Sequence, residues 1–221
     1  MADRPVRRTV LVVGLGRFGG ALALELEELG HEVLAIDESE TRVQGFSHQL
    51  AHVVSGDATD LDTLTGLGVK DLRHAVIAIG SDIEASVLAT AAIADLGVDD
   101  IWAKAITEPH ARILERVGAT HVVFPERDMG TRVAHQVTGQ MMDYIEIDES
   151  FALVETRPPS AELGKTLEAA QLRKRWGVTV VSAKPPGGTF TYTTPDTVLE
   201  AGAILLVAGP KDAVESFAGQ E

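Results

Sequence analysis

Thr9-Val10-Leu11-Val12-Val13 is an unbroken β-branched and apolar run, and Gly14-Leu15-Gly16-Arg17-Phe18-Gly19 follows it without a gap. Ala21 to Leu29 then supplies helix formers, and Gly30 stands where a helix-ending glycine belongs. A strand that is apolar at every position must be covered on both faces, which is the condition of a parallel sheet flanked by helices. Glu32 to Asp37 repeats the strand pattern and ends in an acid 23 residues after Gly14, close to the roughly 20 residues that separate turn and acid in a dinucleotide fold. A bare GxGxxG says little. Strand, glycine turn, helix and a second strand with a terminal acid together define a β-α-β unit built around an anion.

The residue types match that chemistry. Gly14 permits the tight turn, Gly16 admits a phosphate to the backbone, and Gly19 lets helix and sheet close up. The first N–H groups of the helix then face the phosphate with the positive end of the dipole. Asp37 can accept both hydrogen bonds of a ribose diol, and its charge would repel a 2′-phosphate, which disfavours an NADP-type ligand. Arg17 is the unusual member, because a cation in the first helical turn opposes the dipole unless an anion sits there. It points to a phosphate-rich ligand, with a terminal phosphate as its partner.

The alternation continues down the chain. His52 to Ser55 is a third strand, after which Asp57 or Thr59 is expected to cap a helix near Leu61 to Leu67. Ala75 to Ile79, Ile101 to Ala105 and His121 to Phe124 are strands four to six, with helices at Glu84 to Leu96 and Pro109 to Val117 between them. The expected fold is α/β, a Rossmann-type doubly wound parallel sheet with its ligand at the carboxyl ends of the strands. The loops there are Asp37-Glu38-Ser39, Asp57-Ala58, Ile79-Gly80-Ser81 and Lys104-Ala105.

After Phe124 the pattern changes. Pro125 opens a helix expected to run to about Met142. Strands at Asp143 to Asp148, Phe151 to Thr156, Val178 to Ala183 and Ile204 to Ala208 follow, with a helix over Leu167 to Trp176, a tight turn at Pro185 to Gly188 and a closing helix near Phe217. The expected organisation is a nucleotide-binding domain over 6–124, a crossover helix over 125–143 and a small α+β dimerisation lobe over 144–221.

Composition removes several classes. A net charge of -14 argues against nucleic acid and anionic lipid as direct partners. With no cysteine there is no thiol catalysis and no thiolate metal site. No apolar run approaches the roughly 18 residues of a membrane span, and no secretory signal precedes the first strand, so a soluble cytoplasmic protein is expected. A redox-sensing repressor would need a basic helix-turn-helix; residues 1–8 are too short for one, and Arg4, Arg7 and Arg8 read as a solvated tail. A small NAD-dependent oxidoreductase is the competing class. It needs a proton donor facing the nicotinamide, and His110 is the sole plausible candidate.

Val13 to Gly20, Gly30 to Asp37, Ala78-Ile79-Gly80, Ile101 to Ala105 and Pro125-Glu126-Arg127-Asp128-Met129-Gly130 follow one another in order. Together they closely resemble the cytosolic regulatory subunits of Ktr/Trk bacterial potassium-uptake systems, which carry an RCK domain and a small C-terminal lobe. The resemblance is specific over the first 145 residues and looser beyond. It implies a non-enzymatic gating ring, from dimer to homo-octamer, docked on the inner face of the membrane through a separate potassium-translocating subunit. It also implies ATP, ADP or NAD(H) at the glycine turn. On that resemblance Arg17 reaches a terminal phosphate, often in the neighbouring subunit, and Asp37 holds the ribose. Asp57-Ala58, Ile79-Gly80-Ser81 and Lys104-Ala105-Ile106 line the adenine and phosphate walls, with His110 nearby. Glu126 matches an acid that helps hold a cation such as Mg²⁺ beside the phosphates. In the C-terminal lobe, Arg173 is the residue to test for cyclic di-AMP, which some members hold there.

Overall fold

The computed structural model describes residues 8–137 and 141–220. Arg4 and Arg7 of the expected tail lie outside the described residues, as do 138–140 of the expected crossover helix. By contact the chain divides into two compact units, Met1–Glu126 and Arg127–Glu221.

In the first unit, strands β1 (Thr9–Val13), β2 (Glu32–Asp37), β3 (His52–Ser55), β4 (His74–Ile77), β5 (Asp100–Lys104) and β6 (His121–Val123) form a six-stranded sheet. Their order is β3-β2-β1-β4-β5-β6 and every pairing is parallel. This is the expected doubly wound sheet, with its topological switch point between β1 and β4. Helices α1 (Arg17–Glu28), α2 (Glu40–Phe46), α3 (Leu61–Gly66), α4 (Ile83–Asp95) and α5 (Glu108–Arg116) make the crossovers.

The two-residue period of β1 builds both cores. Val10 and Val12 pack with Val33, Ala35 and Ala23 of α1, whereas Leu11 and Val13 pack with Ile36, Leu64, Ile77, Ile93, Ile101 and Leu114. Leu11, Val12 and Ile77 have no exposed surface, and each fully buried side chain of this size contributes on the order of 2 kcal/mol. Gly30 and Gly97 end α1 and α4 in left-handed conformations, φ +86° and +87°, as expected. The expected cap of α3 is displaced. Asp60 makes it, accepting from the N–H groups of Asp62 and Thr63, while Asp57 binds Thr59 within the preceding turn.

At the amino ends of the strands, opposite the ligand end, Asp100 joins His74 (2.7 Å), His121 (3.4 Å) and the indole N–H of Trp102 (3.1 Å). Arg8 is not a free tail residue: its guanidinium donates to His74 Nε2 at 3.2 Å.

Helix α6 (Pro125–Val137) leads into the second unit. There β7 (Asp143–Glu146), β8 (Phe151–Thr156), β9 (Thr179–Lys184), β10 (Thr191–Tyr192) and β11 (Ile204–Pro210) form an antiparallel sheet in the order β10-β9-β11-β8-β7. The helix α9 (Lys211–Ala218) packs Val214 and Phe217 into its core. The helix expected over Leu167 to Trp176 is two, α7 (Leu167–Ala170) and α8 (Leu172–Trp176), because Gln171 between them takes φ +48°. The β9–β10 hairpin, with its turn at Pro185 to Gly188, completes the sheet edge.

Candidate functional site

At the switch point, Gly14 N–H donates to Ile36 O and Ala78 N–H to Val13 O, at 2.8 and 2.7 Å, so the carboxyl ends of β1, β2 and β4 are tied together. Gly14 sits at φ +92°. Gly19 returns against it so closely that a Cβ there would lie 1.9 Å from Gly14 O and 2.8 Å from Ala78 Cβ. The first and third glycines are thus one packing unit.

Helices α2 to α5 all begin with a side-chain cap, from Ser39, Asp60, Asp82 and Thr107. Helix α1 does not: its N-cap is Gly16, no side chain bonds its first turn, and that turn holds no acid. Its initial N–H groups therefore keep their donor capacity for a ligand.

A shallow cleft of ≈ 170 Å³ opens in front of this turn. Of the residues expected at the site, Gly14, Gly16, Asp37, Glu38, Asp57, Ala58, Ile79, Gly80 and Ser81 line it. Arg17, Phe18, Gly19, Ser39, Lys104, Ala105, Ile106, His110 and Glu126 are not among its lining residues. Gly19 and Ser39 act through their neighbours, Gly19 by packing on Gly14 and Ser39 by donating its N–H to Asp37.

Four of the remainder gather behind Gly80. Lys104, almost fully buried, donates to Glu126 Oε1 at 2.5 Å and lies 6.0 Å from the Phe18 ring centroid. A Cβ at Gly80 would come within 2.8 Å of the Lys104 ammonium, so the glycine makes room for the lysine beside the cleft. The hydrogen bond from Lys104, helped by the charge of Arg17, holds the Glu126 carboxyl below the usual carboxylate range. Ala105 is buried and Ile106 exposed.

Glu126 as a cation ligand has a specific constraint. No group of three or more histidine, aspartate or glutamate side chains able to hold a metal occurs among the described residues. A cation there would take its other ligands from the phosphates, and Lys104 already holds one of the carboxylate oxygens.

His110 is buried, and neither ring nitrogen has a hydrogen-bond partner among the described residues. Burial lowers its pKa and keeps the imidazole neutral. It lies at the start of α5 and is not among the residues lining the cleft.

Asp37 carries the densest polar network. Its carboxylate accepts from Leu15 N (2.6 Å), Ser39 N (2.8 Å) and the guanidinium of Arg42. Burial raises its pKa, but these donors outweigh burial and leave it below its ordinary value. Arg42, which also lines the cleft, is the functional residue that sequence reading missed. Its signal was a cation five positions after the acid, one turn into α2. By pairing with Asp37 it weakens the charge argument against a 2′-phosphate.

Two family models match the chain in tandem, the TrkA-N domain over residues 10–125 and the TrkA-C domain over residues 151–219. The chain belongs to the TrkA-N and TrkA-C family. It is 36% identical over 213 residues to Ktr system potassium uptake protein C of Bacillus subtilis, covering 96% of both chains. To Ktr system potassium uptake protein A of Vibrio alginolyticus it is 37% identical over 204 residues, covering 91% of this chain and 92% of the relative. The expected resemblance to potassium-uptake proteins is borne out at both levels, and the oxidoreductase alternative finds no support among these relatives.

Among solved structures, the GsuK RCK domain has the same fold, with a TM-score of 0.64 at 22% identity over 98% of this chain and 49% of the other. A GsuK channel bound to NAD aligns with a TM-score of 0.53 at 25% identity, over 99% of this chain and 39% of that one. This chain thus spans half or less of those solved chains. Among the described residues no helix is long and apolar enough to cross a membrane.

Proposed function

We propose that this TrkA-N and TrkA-C protein is a nucleotide-binding regulatory subunit, without enzymatic activity of its own, that controls a separate membrane potassium-translocating subunit. The observation that carries the reading is the α1 N-terminus without a side-chain cap, opening with Asp37 onto one cleft at the carboxyl ends of the strands, in a chain 36% identical to a potassium-uptake protein over 96% of its length. An adenine nucleotide, ATP or ADP or NAD(H), lies with its phosphates on the Gly14 to Gly19 turn and its ribose toward Asp37. The subunit assembles through dimers into a ring of up to eight copies, peripheral to the inner face of the cell membrane. Residues 6–124 form its nucleotide domain, 125–143 the crossover that relays nucleotide state, and 144–221 the dimerisation lobe.

In that lobe a groove of ≈ 720 Å³ is lined by Leu172, Arg173, Lys174, Thr179, Thr193 and Thr194, among others. Arg173 donates to Thr179 Oγ1 at 3.1 Å, which orients a guanidinium there. The acid Glu168 shares this lining, and the two cations and three hydroxyls are the groups that a second anionic ligand such as cyclic di-AMP would use.

Arg17 distinguishes nucleotides on this reading. It is exposed in the first turn of α1; the carboxylate that feels its charge, Glu126, is already bonded by Lys104, and a terminal phosphate, from its own or a neighbouring subunit's nucleotide, is the counter-ion this reading gives it. Arg17→Ala is expected to weaken ATP binding about tenfold more than ADP binding, the loss of one charge-assisted contact. A regulatory ligand must bind one state better than another, so this difference is the switch. Calorimetry with both nucleotides tests it, and equal losses would contradict it.

Glu126 is proposed to hold a hard cation, Mg²⁺ among the candidates, jointly with the phosphates. Glu126→Gln is expected to abolish any cation enhancement of ATP affinity and to leave cation-free binding intact or improved. Persistence of the enhancement in the variant would return Glu126 to a purely structural partner of Lys104.

A further inference from the structure

The Asp37 carboxylate has no acceptor capacity to spare. Oδ1 takes the Ser39 N–H at 2.8 Å and the Arg42 Nη2 at 2.8 Å, Oδ2 takes the Leu15 N–H at 2.6 Å, and the Arg42 Nε–H is shared between both oxygens at 2.9 Å. A carboxylate offers about four lone-pair sites, and all are in use. A ribose diol needs two of them.

The three residues that supply these donors differ in how easily they leave. Leu15 N–H and Ser39 N–H belong to backbone fixed by the glycine turn and by the entry to α2. Breaking either would reshape the turn itself. Arg42 is a side chain on a seven-residue helix that contributes no buried residue, and its own side chain is 53% exposed against 3% for Asp37. The guanidinium can leave into solvent at the lowest cost.

We infer that Arg42 is a built-in competitor for the ribose acceptor: the diol of an adenine nucleotide and the Arg42 guanidinium bind Asp37 in mutual exclusion. Arg42 thereby sets the nucleotide concentration at which the cleft fills. It does so without touching the bound ligand. The inference rests on the proposed nucleotide reading and adds to it a residue that tunes sensitivity.

The test compares ATP with 2′,3′-dideoxy-ATP, which has no diol to offer Asp37, by calorimetry on the full chain. In the wild type dideoxy-ATP should bind about tenfold more weakly than ATP, because displacing Arg42 from Asp37 offsets part of what the ribose hydroxyls gain there. In Arg42→Met, which keeps an apolar stem and removes every donor, the ratio of dideoxy-ATP to ATP Kd is expected to widen about tenfold. Taking the ratio within each protein cancels the change in field that follows loss of the cation. Arg42→Lys, with a more compact ammonium, should give an intermediate ratio.

An unchanged ratio in Arg42→Met, with ATP still bound, overturns the competition while leaving nucleotide binding in place. An affinity loss common to both nucleotides with an unchanged ratio would make Arg42 a direct ligand contact in place of a competitor. Failure of wild type and both variants to bind ATP would remove the nucleotide reading, and the inference with it.

Discussion

Gly19→Ala is expected to destabilise the N-terminal unit by about 3 kcal/mol, the upper range for overpacking a rigid core, and to eliminate nucleotide binding. The added methyl would stand 1.9 Å from Gly14 O and 2.8 Å from Ala78 Cβ. Neither neighbour is the tip of a flexible side chain, so the backbone of the turn must move. That movement separates α1 from β1 and β4, and the N–H groups at the helix start lose their aim. Gly16→Ala is the control. Beyond its own chain neighbours, no atom lies within 4 Å of a Cβ built at Gly16, so its stability should match wild type while a methyl at the phosphate approach still weakens binding. Denaturant unfolding and calorimetry on both variants separate the two effects. Wild-type stability in Gly19→Ala would contradict the packing argument.

Asp37→Ala is the second large effect. It leaves the buried Leu15 N–H without its acceptor and Arg42 without its counter-ion, and should cost about 2 kcal/mol of stability, typical for orphaning a buried donor. Nucleotide affinity should fall for ATP, ADP and NAD alike. A charge-assisted ribose contact sets the range at roughly ten- to a hundredfold, and competition from Arg42 places the loss near the lower figure. The pH dependence has a definite sign. The folded pKa of Asp37 lies below its ordinary value, so the stabilisation is fully present above the unfolded pKa of about 3.9. It is lost as pH falls through the folded pKa. Asp37→Asn should flatten that acid limb of the stability profile, and an unchanged limb would assign it to other carboxylates.

Much of the N-terminal unit was legible because its signals are local and redundant. The β1 and β2 runs, the glycine turn and the helix-ending Gly30 and Gly97 each constrain the backbone by themselves. Their order on the chain then leaves one economical sheet. Exact caps were less legible, since Asp57, Thr59 and Asp60 are all competent and only three-dimensional geometry selects Asp60. The break between α7 and α8 was hidden for a related reason. A left-handed glutamine has no sequence mark, whereas a left-handed glycine does.

At the site, Gly14, Gly16 and the loops after β2, β3 and β4 supply the expected lining residues, because each loop's place follows from strand order, whereas Ser39 and the loop after β5 lie outside the lining. The resemblance implies Lys104 as a wall of the nucleotide pocket and Glu126 as a cation ligand. Their pairing with each other depends on Gly80 leaving space, which no spacing rule encodes. Arg42 was missed because a cation on an exposed helix face is ordinary, and its meaning comes entirely from the carboxylate it reaches. His110 is read from its chemistry, and its burial at the start of α5 is set by tertiary packing that the sequence does not mark.

The central claim is that the glycine turn of this potassium-uptake family member is a nucleotide sensor. Calorimetric titration of the full chain with ATP, ADP, AMP, NAD and NADH, each with and without Mg²⁺, tests it most directly. Saturable binding of at least one of these nucleotides is expected, lost in Gly19→Ala and weakened in Asp37→Ala. Absence of binding by the whole panel, or binding that both variants leave untouched, would contradict it.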